Sequence, residues 1–119
     1  MRGPVVVLAL VTAACADKGG GPREIAGADP ARGLEAAQRV GCAACHQSPG
    51  IEWPKGGAGP SLEGFGRSPL IAGRFPNQPA ELARWVRDAP SMAPETGMPA
   101  MPVTEAEARD IAAWLYTLE

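Results

Sequence analysis

Cys42-Ala43-Ala44-Cys45-His46 is the stretch on which the reading of this chain turns. Two thiols with two residues between them, followed at once by an imidazole, have the spacing that lets both sulfurs add across the vinyl groups of a haem while a ring nitrogen remains to ligate the iron. Other chemistries use parts of the motif and fail on the rest. A structural zinc site needs about four N or S ligands, yet outside the motif the chain offers only Cys15, and His46 is its single histidine. A thioredoxin-like dithiol belongs in a strand-helix-strand pattern, and no strand-like alternation flanks the motif. A disulfide closing so short a loop removes little chain entropy and has no use for the histidine. The motif therefore reads as covalent haem attachment through Cys42 and Cys45, with His46 on the iron.

Outward from the motif, the chain of 119 residues is one small domain with something added. Residues 1–14 read as an export signal. Arg2 supplies a positive start, and Val5 to Ala14 is an apolar run of about ten residues, short of the roughly 20 that span a bilayer. Two processing patterns fit. Val11-Thr12-Ala13-Ala14-Cys15 resembles a lipobox, in which Cys15 is acylated and becomes the N-terminus, although Thr12 stands where Leu is preferred. Ala14-Cys15-Ala16 also fits an A-x-A cleavage site that would release a soluble protein. An unpaired third cysteine in an exported protein is a reactive liability, which favours lipidation at Cys15. Export and haem attachment support one another, because bacteria form the thioethers outside the cytoplasmic membrane. The expected location is the periplasm, with the chain held at a membrane through Cys15. Without residues 1–14 the chain has ten basic and thirteen acidic residues, a formal charge of −3. That balance argues against nucleic-acid binding, which calls for a basic excess.

Residues 15–28 hold a triple glycine, a proline and scattered charge with no apolar period. The composition predicts a flexible tether of root-mean-square reach about 20 Å, followed by a haem domain over residues 29–119. Asp29 as N-cap and Pro30 at the first helical position open a first helix. Leu34, Ala37 and Val40 recur at helical spacing, and Gly41 ends it. From Gln47 to Pro76 the chain is rich in Gly and Pro. So long a loop is unusual in a compact domain, but a haem supplies apolar surface that Leu62, Phe65, Leu70, Ile71 and Phe75 can cover. A second helix is predicted over 79–89, with Leu82, Trp85, Val86 and Ala89 on one face and either Asn77 or Gln78 as cap. A third starts at the capping box Thr104-Glu105-Ala106-Glu107 and carries Ala108, Ile111, Ala112 and Leu115 on one stripe, flanked by Trp114 and Leu118. The predicted fold class is all-α.

With one histidine, ligation of the iron by two imidazoles of this chain is excluded. Methionine is the neutral ligand that remains, and the candidates are Met92, Met98 and Met101. Met98 in Thr96-Gly97-Met98-Pro99 is favoured, because that irregular segment can lay its backbone along a haem face.

The ordered set of a helix, CxxCH, Gly59-Pro60-Ser61-Leu62, a middle helix, Met98-Pro99 and the tail Asp110-Ile111-Ala112-Ala113-Trp114-Leu115-Tyr116 resembles class I c-type cytochromes over residues 29–119. The segment from Pro76-Asn77-Gln78-Pro79 to Met98-Pro99 further resembles a bacterial subgroup that includes free cytochromes and cytochrome domains of haem-copper oxidases. The resemblance implies three main helices and long loops around one haem c. It implies that the Pro60 carbonyl orients His46, that Leu62 packs on the haem, that Arg67 and Thr96 meet propionates, and that Trp85 packs on the methionine side. It further implies that Gly33 admits Trp114 of the last helix, with Ala37 where the family usually has an aromatic.

The implied function is one-electron transfer in a respiratory chain by a His46- and Met98-ligated haem, with no enzymatic activity. The chain would act as a monomer that docks transiently on reductase or oxidase partners near Ala43 and Ala44, aided by Arg67, Arg84 and Arg87. Two other readings stay open: an accessory subunit of an oxidase or reductase complex, and a peroxidase or gas-binding haem protein should the methionine be labile.

Overall fold

The computed structural model describes residues 23–119, together with Met1 and Gly3. The export signal, the processing site at Cys15 and most of the expected tether lie outside the described residues. Three helices make the domain: α1 (Pro30–Val40), α2 (Pro79–Met92) and α3 (Glu105–Tyr116). Among the described residues no helix is long and apolar enough to cross a membrane.

The caps fall where the side chains direct them. The Asp29 carboxylate accepts the N–H groups of Ala31 and Arg32 at 2.8 and 3.3 Å, and Gly41, in the left-handed region at φ 83°, closes α1. At α3 the Thr104 hydroxyl accepts the Glu107 N–H while the Glu107 carboxylate accepts that of Thr104, at 3.2 and 2.8 Å. That N–H holds the Glu107 carboxyl below the usual carboxylate range. At the second helix the structure chooses between the two expected caps and corrects the end predicted at residue 89, since the helix runs to Met92. Gln78 occupies its N-cap position without a side-chain bond, because Asn77 is buried and donates to the Ser68 carbonyl instead. The helix also breaks and restarts. Asp88 has non-helical angles, φ −153° and ψ 69°, and caps one further turn by accepting the Ser91 N–H at 3.3 Å. Pro90, with no N–H to donate, suits the start of that turn.

α3 is the centre of the molecule. The sequence predicts an apolar stripe, but Ala108 and the whole run from Asp110 to Tyr116 are buried, since α1 and α2 both pack on it. Burying Ile111, Leu115, Trp114 and Tyr116 contributes about 1.5–3 kcal/mol each for the large apolar side chains. α1 crosses α3 at Gly33, where a Cβ would fall inside the Asp110 carbonyl and 2.9 Å from the Ile111 nitrogen. The close approach of the first and last helices expected at Gly33 is present, with the α3 backbone at Asp110 and Ile111, one turn before Trp114, nearest to it. Ala37 is completely buried, so its short side chain suffices there. A polar clasp secures the crossing. The Asp110 carboxylate accepts the Asp29 N–H at 2.7 Å and two Arg32 N–H bonds at 2.8 and 3.2 Å.

The long loop is not structureless. A 3₁₀ turn, Cys42–Ala44, precedes it, and it contains a second, Phe65–Arg67, and a short antiparallel pair, β1 (Leu70–Ile71) with β2 (Phe75–Pro76). Adjacent strand residues face opposite sides, so Ile71 is buried while Leu70 is 41 % exposed, against its expected place in the core. Leu62, Phe65 and Phe75 are half-buried against the core. The last residues before the domain are also packed. The Arg23 guanidinium lies 3.9 Å over the Tyr116 ring and donates to the Asn77 carbonyl at 2.6 Å, Ile25 packs on the core, and Arg109 donates to the Ala26 carbonyl at 2.7 Å. The packed body therefore reaches back to Arg23.

Candidate haem site

The motif leaves α1 through Gly41 and coils at once into the 3₁₀ turn Cys42–Ala44, closed by the Ala44 N–H on the Gly41 carbonyl at 2.9 Å. Cys42 and Cys45 stand at the two ends of that turn, both unpaired in a disulfide. Burial pushes the Cys42 thiol above its ordinary range, with Cys45 adding to the shift. A redox dithiol needs the opposite, a thiol made acidic by its surroundings.

The Gly-rich loop then runs back over the motif in hydrogen-bonded register. Gly56, Gly59 and Leu62 donate to the carbonyls of Ala43, Cys45 and Gln47, each at 2.8 Å. Two of these residues pass too close for any side chain. A Cβ on Gly56 would overlap the Ala44 carbonyl, and one on Gly59 would come 2.5 Å from Cε1 of His46. Gly59 delivers Pro60 to the imidazole, and the His46 Nδ1–H donates to the Pro60 carbonyl at 2.7 Å. That bond fixes the tautomer and leaves Nε2 as the ring nitrogen able to ligate a metal. The roles of Gly56 and Gly59 escaped the sequence reading. Their signal was present in Gly56-Gly57-Ala58-Gly59, directly before the proline.

The remaining residues that the sequence singles out lie mostly on α2 and the segment after it. Met98 is half-buried, and its N–H donates to the Thr96 hydroxyl at 3.2 Å, which shapes the turn that carries it. Met92, in the last turn of α2, and Met101, whose N–H donates to the Arg87 carbonyl at 3.0 Å, are also half-buried. Trp85 is half-buried on α2 with its ring 5.8 Å from that of Phe75, and Leu62 packs at the core's edge. Arg67 is exposed at the end of its 3₁₀ turn. The expected docking patch requires correction, because Ala43 is buried and only Ala44 of the pair is exposed. Arg84 and Arg87 instead line a groove of about 560 Å³ with Arg109, between α2 and α3, in which no residue of the motif takes part.

The residues present fit a haem. The donor set is two thiols and one imidazole nitrogen left free by the Pro60 bond, and the backbone opposite the imidazole is stripped of side chains at Gly59. A mostly helical domain built in this order around such a motif is a c-type cytochrome domain. Comparison with protein-family models matches residues 28–115 to cytochrome C oxidase, cbb3-type, subunit III, and the chain belongs to this family. In a comparison with curated proteins, none matches the chain.

Proposed function

We propose that the chain carries single electrons for an oxidase from outside the cytoplasmic membrane, using one haem c held covalently by Cys42 and Cys45 and ligated by His46 and Met98. The observation that carries this reading is the Pro60 carbonyl on His46 Nδ1 at 2.7 Å, since it commits the imidazole to one tautomer and leaves Nε2 free of that bond. When bound, the haem supplies a reversible one-electron change at its iron.

The chain's own residues do the rest. Cys42 and Cys45 tether the group by two thioethers, so it is not lost on each cycle. Pro60 makes His46 a stronger donor by accepting its proton-bearing nitrogen. The Thr96 hydroxyl, tied to the Met98 N–H, shapes the turn that would offer the Met98 thioether to the iron. Leu62 and Trp85 would shield the bound group from water, and Arg67 and Thr96 would meet its propionates. Two protein ligands leave no iron position for a substrate, which is the reason for reading a carrier and not an enzyme.

Spectroscopy tests the ligand set. The weak red-edge absorption of ferric methionine-ligated haem is expected to vanish in Met98→Ala and to persist in Met101→Ala. The opposite pattern gives the ligand to Met101 and overturns the assignment. The family match to an oxidase subunit favours a place within or beside such a complex over a free shuttle. Gentle solubilisation of membranes distinguishes them, since a subunit co-migrates with the oxidase. Anchoring through Cys15 is checked by intact mass, where a diacylated N-terminus is expected and an unmodified one at Asp17 refutes it.

A further inference from the structure

Trp53 is 85 % exposed, and Leu70 is the other large apolar side chain exposed in the domain. An indole left in water forgoes the free energy that burying its apolar surface would release. Its loop is not loose. On one side Ile51 is buried, with its N–H on the Ser48 carbonyl at 3.0 Å. On the other, Gly56 donates to the Ala43 carbonyl at 2.8 Å and packs directly on the backbone of Ala44. Trp53 thus stands three residues before Gly56, the point at which its loop is pinned to the motif at Ala43 and Ala44.

Glu52, directly before Trp53, and Lys55, two residues after it, line a groove of about 400 Å³ together with Glu63, its other charged residue. Two carboxylates against one ammonium make this face net negative. An anionic membrane is repelled by such a face, whereas a lysine or arginine of another protein is attracted by it.

We propose that Trp53 and the Glu52–Glu63 groove form the docking site for the chain's redox partner, a protein that seats the indole in an apolar depression and sets a basic side chain between the carboxylates. The proposal rests on the electron-carrier reading above and adds where the partner binds and what it presents. Exposed tryptophans that become buried on association commonly dominate binding. The transfer moves one electron from the reduced domain to an oxidised metal centre of the partner, with no bond made and no proton moved between them.

The test uses the full-length holoprotein and the detergent-solubilised cbb3-type oxidase of its own cell. Both the equilibrium Kd and steady-state oxidation are followed, with ferricyanide as a small oxidant that needs no docking. Trp53→Ala is expected to raise Kd and KM on the order of tenfold, while kcat, the reduction potential and the ferricyanide rate stay unchanged, and Trp53→Phe restores most of the loss. Glu52→Gln with Glu63→Gln is expected to flatten the dependence of KM on ionic strength. Trp53→Ala that binds and reacts like wild type overturns the proposal, as does a loss confined to vesicles containing phosphatidylglycerol. Wild type that neither binds nor reduces the oxidase overturns the oxidase reading itself, and the docking site with it.

Discussion

One methyl group at Gly59 would reach the imidazole proposed to ligate the iron, because its carbon would arrive 2.5 Å from the His46 ring. The ring cannot retreat without stretching the Nδ1–Pro60 bond. Gly59→Ala is therefore expected to lower the yield of holoprotein several-fold and to lower the affinity of the site for methionine ligation, seen as partial loss of the red-edge band. A holoprotein with wild-type yield and spectrum would show that the loop yields instead. Asp110 is the second residue at which one group decides much. Arg32 and the Asp29 N–H hold its carboxyl below the usual carboxylate range. A carboxyl depressed in the fold contributes stability above its unfolded value of about 3.9 and loses it as pH falls through the lower folded value. Asp110→Asn is expected to cost about 1–2 kcal/mol near neutral pH, discounted for the exposed Arg32. The difference from wild type should shrink as pH drops below about 4, measured by urea unfolding across pH.

Between helices the decisive contact is the α1–α3 crossing. Gly33 meets main-chain atoms of Asp110 and Ile111, which have no rotamer to change. Gly33→Ala should therefore separate the helices and cost about 3 kcal/mol, the upper end for overpacking, seen as a lower Tm with the haem spectrum kept until unfolding begins. An unchanged Tm would mean that α1 can slide. The same crossing shows what periodicity can and cannot state. Caps at Asp29, Gly41 and Thr104 are local chemistry and were legible along the chain. The burial of α3 on nearly all sides was not, because a stripe of Ala108, Ile111 and Leu115 looks the same whether one neighbour packs on it or two. The break at Asp88 was half legible. The pattern predicts an end at Ala89, and Asp88 with Pro90 shows why a further turn follows.

At the scale of the molecule, three short helices and a loop of mostly half-buried apolar residues make a thin core by themselves, and domains this small are marginal without a staple. Cys42→Ser with Cys45→Ser, which prevents attachment, is expected to leave a chain with no cooperative thermal transition by circular dichroism. A sharp transition near that of the holoprotein would mean that helix packing alone suffices. The sequence by itself determined the local features: the attachment motif, the cap of each end helix, the single histidine that excludes a second imidazole, and the family order. Each follows from chemistry within a few residues. Only the tertiary structure decided that Gly59 folds back onto Cys45, that Asp110 clasps the start of α1, that Arg23 belongs to the packed body and that Trp53 is left outside it. Those facts join residues 14, 81, 54 or more positions apart in the chain, or concern what fails to be covered. Neither distance nor exposure has a signature in the order of residues alone.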